Sequence, residues 1–355
     1  MECLERHILD KLSVHEPDKE IYRKVLKNWD EIAKPIDGLG KFETIIAQIG
    51  AILGTDNIDI SKKAIIIMCA DNGIVEENIS QSSQEVTKAV AQQMAKGASS
   101  VGKMAAVIGA DTIPIDIGIN SKEQISGLVN KKIRCGTRNF YKEEAMTQEE
   151  AIKAILTGVE IVKDCKRKGY NILAMGEMGI GNTSTSSAIT AAILKCKAEE
   201  VTGRGAGLCD SKLQRKKQVI TEAIEKYKLY DAEPLTVLAA VGGLDIAGLT
   251  GVCIGGGIYN IPVVLDGVIS MTAALLAEKL VSGTVKYLIP SHKGKEKAVK
   301  KLMNALNLEP VIDANMALGE GTGAVMMLSL LDMAMCVYRG NLFSDINVKQ
   351  YERYL

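Results

Sequence analysis

Aromatic side chains are scarce in this sequence: one tryptophan, Trp29, and three phenylalanines among 355 residues. So few rings leave little surface on which single-stranded bases could stack. Net charge is missing too, because 43 Lys and Arg are matched by 43 Asp and Glu. Without a basic excess there is no broad field to draw the chain to nucleic acid. Histidine is limited to His7, His15 and His292, and the eight cysteines include no CxxC pair. That spacing offers no zinc-type ligand set and supports no Ser-His-Asp or Cys-His arrangement. Scattered thiols in a chain of this length are those of a reduced, cytosolic protein. The opening stretch MECLERHILDKLSVHEPDKE is charged and amphipathic and lacks a signal-peptide core, so a cytoplasmic location is expected. No repeat or low-complexity tract is present.

An uncharged run long enough to cross a bilayer covers residues 246–265, IAGLTGVCIGGGIYNIPVVL. It carries five glycines, Asn260 and Pro262, and Asp245 and Asp266 stand at its two ends. A buried glycine-rich helix followed by a turn and a strand fits these features better than a membrane span.

Shorter apolar runs recur between helical stretches: AIIIMCA (64–70), TIPIDIGI (112–119), NILAM (171–175), IPVVLD (261–266) and KYLIPS (286–291). Strands covered on both faces read as unbroken apolar runs, so an α/β fold with a parallel sheet flanked by helices is predicted. Residues 234–243, PLTVLAAVGG, fit a helix or a strand equally well. Residues 1 to about 50 are helical in pattern, one helix opening after Gly38 and Gly40, and two further helices follow KYLIPS. Ligands of open α/β sheets bind beyond the carboxyl ends of the strands. The loops ADNGI (70–74), GEMGIGN (176–182), DG (266–267) and SHKG (291–294) are therefore expected on one face.

The most informative loop is GEMGIGNTSTSSAI, residues 176–189, set between the run NILAM and a helical segment. Glycines at 176, 179 and 181 permit a tight turn, and Asn182, Thr183 and Ser184 offer capping groups. Free amides and the positive end of the helix dipole then face one point, which suits a phosphate. Glu177 would repel a phosphate, but it could bind a ribose hydroxyl or stabilise developing positive charge. The loop reads as a sugar-phosphate site. It does not fit the dinucleotide fingerprint, because the glycine spacing and the later acidic residue are absent.

A second glycine cluster, VTGRGAGLCDSKLQRKK (201–217), supplies Arg204, Arg215, Lys216 and Lys217 as phosphate partners or, equally, as a solvated basic helix face. A third, MALGEGTGAVMM, sets Glu320 between two glycines before an apolar helix. Glu320 either complements that helix dipole or serves as a general base, and the base reading requires burial to outweigh the dipole.

Taken in order, the segments DGLGKFE, ADNGIVEENIS, SQEVT, GTRNF, GEMGIGNTS, GRGAGL, VGGLDIAGL, PVVLDG and LGEGTGA resemble the nicotinate-nucleotide:dimethylbenzimidazole phosphoribosyltransferase family over nearly the whole chain. The resemblance implies transfer of the 5-phosphoribosyl group from nicotinate mononucleotide to a benzimidazole-type base in cobalamin lower-ligand synthesis, with no cofactor and no metal. A phenolic or purine acceptor, or a nucleotide-binding subunit of a heteromeric enzyme, is the alternative. By similarity Glu320 is the general base and Glu177 stabilises the transition state at the ribose. Gly179, Ile180, Gly181, Asn182, Thr183, Lys216, Gly205, Ser291 and Gly319 would bind the nucleotide and its phosphate. Ser80, Ser82, Gln84 and Leu318 would form the acceptor pocket.

The family commonly has ADHG where this chain has ADNG, Tyr-Pro at Ser82 and Ser83, and Arg at Ala317, which puts the base at issue. The implied fold is a Rossmann-like domain over 51–340 with a small helical domain from 1–50 and part of the C-terminal region, and a tail at 341–355. A homodimer is implied, with no nucleic-acid or membrane partner.

Overall fold

In the computed structural model, which describes residues 2–352, the apolar runs become the strands of one parallel sheet. They are β1 (Lys63–Ala70), β2 (Asp111–Gly118), β3 (Val129–Asn130), β4 (Ile172–Met178), β5 (Val263–Leu265) and β6 (Leu288–Pro290), ordered β3-β2-β1-β4-β5-β6. β1 is buried at every position because both of its faces are covered by helices. Ile66 and Met68 enter the core on one face, Ile65 and Ile67 that on the other. This is the period-two alternation of a strand packed on both sides. β3 is two exposed residues with no apolar signature, and the sequence did not announce it.

One face carries the helices Gln148–Arg167, Leu244–Tyr259 and Val268–Leu280. Residues 246–265 are the expected buried helix and strand, and the glycines have a packing reason. A Cβ on Gly251 would collide with the Ile155 carbonyl oxygen, and one on Gly158 with the Gly248 carbonyl oxygen, so the two helices cross in backbone contact. No described helix is long and apolar enough to cross a membrane. Residues 234–243 resolve as the helix Pro234–Val241, opened by a proline in its first turn.

The other face carries the helices Lys19–Glu31, Lys41–Leu53 and Thr322–Tyr338, whose Val25, Trp29, Ile46 and Leu328 share a core with Ile65, Ile67 and Val264. The chain end returns along this layer: Leu342 bridges Ile32, and the Gln350 amide donates to the Asp30 carbonyl at 3.0 Å.

The order of the strands reverses between β1 and β4, where Met68 lies opposite Glu177. A crevice opens at such a switch point beyond the carboxyl ends of the strands.

Candidate active site

β4 ends in Gly176, Glu177 and Met178, and the chain turns through Gly181, at φ 97°, into the helix Asn182–Ile193. The turn is clamped from below: the Ile180 amide donates to Thr87 Oγ1 at 3.2 Å, and the Asn72 side chain lies under Ile180 and Thr185. Asn72, the departure in ADNG, is thus a buried support of this loop.

The Glu320 loop is locked onto the same strand end. Gly319, Glu320 and Gly321 have φ of 82°, 61° and 98°, three successive left-handed residues. A non-glycine residue in that region is strained by about 1–3 kcal/mol, a cost concentrated at functional positions. The contact that requires it is backbone on backbone, since a Cβ on Gly176 would collide with the Glu320 carbonyl oxygen. Asp266, at the end of β5, holds the loop by accepting from Gly321 N at 3.2 Å, Gly323 N at 2.8 Å and Ala324 N at 3.1 Å. Glu320 does not lie in the first turn of its own helix: its Oε2 accepts from Val101 N at 3.2 Å, at the start of the helix Ser100–Val107.

Glu177 and Glu320 consequently open onto one cavity of about 320 Å³. Of the residues expected to bind nucleotide, Gly179, Ile180, Asn182, Thr183, Gly205 and Gly319 also line it. Lys216 sits just behind, 1% exposed, with Nζ donating to Thr183 Oγ1 at 2.9 Å. Burial pushes the Lys216 ammonium down to about 8, partly opposed by the nearby Glu296 carboxylate. Gly181 forms the turn and stays off the wall, facing Val75 and Asn72. Ser291 also stays off the wall. It is fully buried, its hydroxyl meeting the Asp266 carbonyl at 3.3 Å and His292 Nδ1 at 2.9 Å, and Gly294 reaches the cavity instead.

The expected acceptor set is divided. Leu318 is on the cavity rim, 57% exposed. Ser80, Ser82 and Gln84 do not line the cavity: Ser80 Oγ accepts from Ser82 N, and Gln84 spans the Asn72 carbonyl and Asn120. Val90, Met178, Ile180 and Met316 supply the apolar wall instead. Among the basic candidates, Arg204 pairs with Asp210, and Arg215 pairs with Glu77 at 2.7 Å and covers the Tyr141 ring. Those pairings turn both guanidinium groups to other partners.

The acids are the dominant electrostatic feature. Burial, then the charges of Asp245 and Asp266, push Glu177 up to about 8; a hydrogen bond from Asn182 pulls it down and the Glu320 charge adds a smaller push upward. Burial raises Asp245 to about 6 and also raises Asp266, which His292 pulls back. Asp245, Asp266 and His292 carried no role in the sequence reading, although two of them sit in the strand-end loops it singled out. Among the described residues no group of three His, Cys, Asp or Glu side chains is placed to hold a metal ion. The Asn182 and Ser184 amides already donate to the Gly179 and Gly181 carbonyls at 3.1 and 2.9 Å, so the helix dipole, Thr183 and the buried Lys216 are what can hold a phosphate, while the carboxylates on the same cavity favour positive charge.

Such a division of charge suits a sugar phosphate whose reacting carbon turns cationic, and the chain belongs to a phosphoribosyltransferase family, whose model matches residues 14–348. Its relatives narrow the class. Nicotinate-nucleotide–dimethylbenzimidazole phosphoribosyltransferase from Acetivibrio thermocellus is 42% identical over 96% of this chain and 97% of its own. The protein of the same name from Clostridium acetobutylicum is 42% identical over 94% of this chain and 96% of its own. A crystal structure of CobT from Thermus thermophilus superposes with a TM-score of 0.88 at 33% identity, covering 94% of this chain and all of that one. The family resemblance and the parallel α/β fold expected from the sequence are borne out.

Proposed function

We propose that this phosphoribosyltransferase moves the 5-phosphoribosyl group of nicotinate mononucleotide to a ring nitrogen of 5,6-dimethylbenzimidazole or a related base. The observation that carries the reading is the meeting of Glu177 and Glu320 on one cavity that Thr183 also lines, with the buried Lys216 bonded to Thr183 behind it. The 5′-phosphate lies at the start of the Asn182–Ile193 helix, on Thr183 and Lys216. The attacking nitrogen bonds to the anomeric carbon from the face opposite nicotinate. The bond to the pyridinium nitrogen breaks, and its electron pair stays on that nitrogen, so nicotinate leaves with a neutral ring. Inversion gives an α-ribotide. Glu177 stabilises the cationic ribosyl carbon in passage, and Glu320 accepts the proton released by the base. Because the ring itself takes up the leaving electron pair, no general acid is required.

The test is incubation with nicotinate mononucleotide and a panel of benzimidazoles, purines and phenols, with products identified by mass spectrometry. Mass-matched α-ribotide of a benzimidazole, with stoichiometric nicotinate, is expected. Products from phenols or purines alone would overturn the acceptor assignment, and no nicotinate release with any base would overturn the reaction.

The same reading has two copies working together in the cytoplasm. Met326, Met333 and Val337 form an exposed apolar stripe on the Thr322–Tyr338 helix that follows Glu320, and Val107 stands 85% exposed on the Ser100–Val107 helix packed beside it. A stripe of that kind calls for a covering partner. The seven cysteines whose side chains are described are all unpaired, as is expected in a reducing compartment. Light scattering should give twice the chain mass, and Met333→Glu should halve it; a wild-type monomer at assay concentration would remove the dimer.

A further inference from the structure

Asp245 lies outside the cavity and is fully buried in the first turn of the Leu244–Tyr259 helix. An acid there ordinarily complements the helix dipole. Only one of its oxygens serves its own helix, however: Oδ1 accepts from Ile246 N at 3.0 Å. Oδ2 is turned the other way, to Asn182 Nδ2 at 3.2 Å, and that same amide nitrogen donates to the Glu177 carboxylate. The chain makes room for the arrangement. A Cβ on Gly179 would collide with Asp245 Oδ2, and one on Gly243 with Asp245 Oδ1.

An amide nitrogen carries two N–H groups at a fixed angle, so committing one to Asp245 fixes the direction of the other. An ionised carboxylate only accepts hydrogen bonds, so Asp245 also decides which end of the Asn182 amide faces the pair of acids. We infer that Asp245 is a positioning residue, which through Asn182 fixes the orientation of the Glu177 carboxylate at the reacting carbon. The inference rests on the proposed role of Glu177 and adds to it a residue that touches no substrate.

A charge effect accompanies the geometric one. Glu177 faces Asp245 from the Leu244–Tyr259 helix, Asp266 from β5, Glu320 from the loop before Thr322, and the Cys69 thiol from β1. Removing the Asp245 charge relieves one repulsion, so Glu177 then loses its proton at lower pH.

The experiment uses the full chain and compares Asp245→Asn, Asn182→Ala, the double variant and Glu177→Gln, with kcat, the KM for nicotinate mononucleotide and the pH dependence of kcat read for each. Asp245→Asn is expected to lower kcat roughly 10²-fold, the loss that follows a small misplacement. Its KM should stay near wild type, and its acid limb should move to lower pH. The double variant should be no slower than Asn182→Ala, because both changes cut the same link. Wild-type kcat in Asp245→Asn, or losses that add in full with an unmoved acid limb, would overturn the inference while leaving Glu177 in place. A Glu177→Gln enzyme with the wild-type rate would overturn the role of Glu177 itself. If Asp245→Asn does not fold, Asn182→Ala alone carries the test. It should lower kcat and shift the acid limb to higher pH, because it removes a bond that favours ionised Glu177, and a wild-type rate and profile would overturn the inference.

Discussion

The wall proposed for the nucleotide and the rim proposed for the acceptor are built in opposite ways. On the first, Asn182, Thr183, Lys216 and Asp266 are joined by hydrogen bonds to one another, to Glu177 or to backbone amides, and all but Thr183 are buried. On the second, Ala317 and Leu318 are exposed, and contact is offered mainly by apolar surface from Val90, Met178 and Met316. Buried polar groups that take a ligand as their hydrogen-bond partner reject one that leaves them unpaired, whereas an apolar pocket separates ligands differing by one methylene by only about 1–3 kcal/mol. Under the proposed function the site should be strict toward the nucleotide and tolerant toward the base.

Glu320 lines the same cavity, and under the proposed function its loss should have the largest effect. Glu320→Gln keeps the side-chain shape and should lower kcat roughly 10²-fold or more, with nucleotide binding intact by calorimetry. A near-normal kcat would remove it from the chemistry. On the strict wall, Lys216→Ala should raise the KM for nicotinate mononucleotide about 10- to 100-fold, the worth of a charge-assisted hydrogen bond, and leave the KM for the base alone. An unchanged nucleotide KM would mean that the phosphate lies elsewhere.

The pH dependence tests the same wall. Glu177, pushed up to about 8, acts ionised, so kcat/KM should rise as pH climbs toward 8. Lys216, brought down to about 8, acts protonated, so kcat/KM should fall as pH climbs beyond it. A bell centred near pH 8 is expected, its limbs belonging to the coupled site, and Lys216→Ala should abolish the alkaline limb. A flat profile between pH 6 and 10 (a window of about two units either side) would contradict these assignments. The smallest effect belongs to the tolerant rim. Leu318→Ala should change the KM for the base by only about three- to fivefold, since a half-exposed leucine contributes a fraction of full burial. A loss as large as that of Lys216→Ala would erase the contrast between the walls.

The sheet was legible because strands buried on both faces leave unbroken apolar runs such as AIIIMCA and NILAM. β3 was not, being two exposed residues paired only to β2. Residues 234–243 lacked a period, and Pro234, favoured in a first helical turn, was the signal that could have decided them. In the site, acids set among glycines stood out at Glu177 and Glu320. Asp245 and Asp266 did not, because each bounded a long apolar stretch and read as its end. Ser291 and Gln84 were placed by likeness of motif, and the direction in which a side chain leaves its strand end or loop is decided by neighbours far away in the chain. For Gln84 those neighbours are Asn72 and Asn120; for Ser291, Asp266.

The account stands most directly on a crystal structure with nicotinate mononucleotide bound. It should show the anomeric carbon between the Glu177 and Glu320 carboxylates, at roughly the 3–3.5 Å of reacting groups, with the 5′-phosphate on Thr183 and Lys216. A nucleotide seated with its phosphate away from Lys216, or with only one of the two acids beside the ribose, would contradict it.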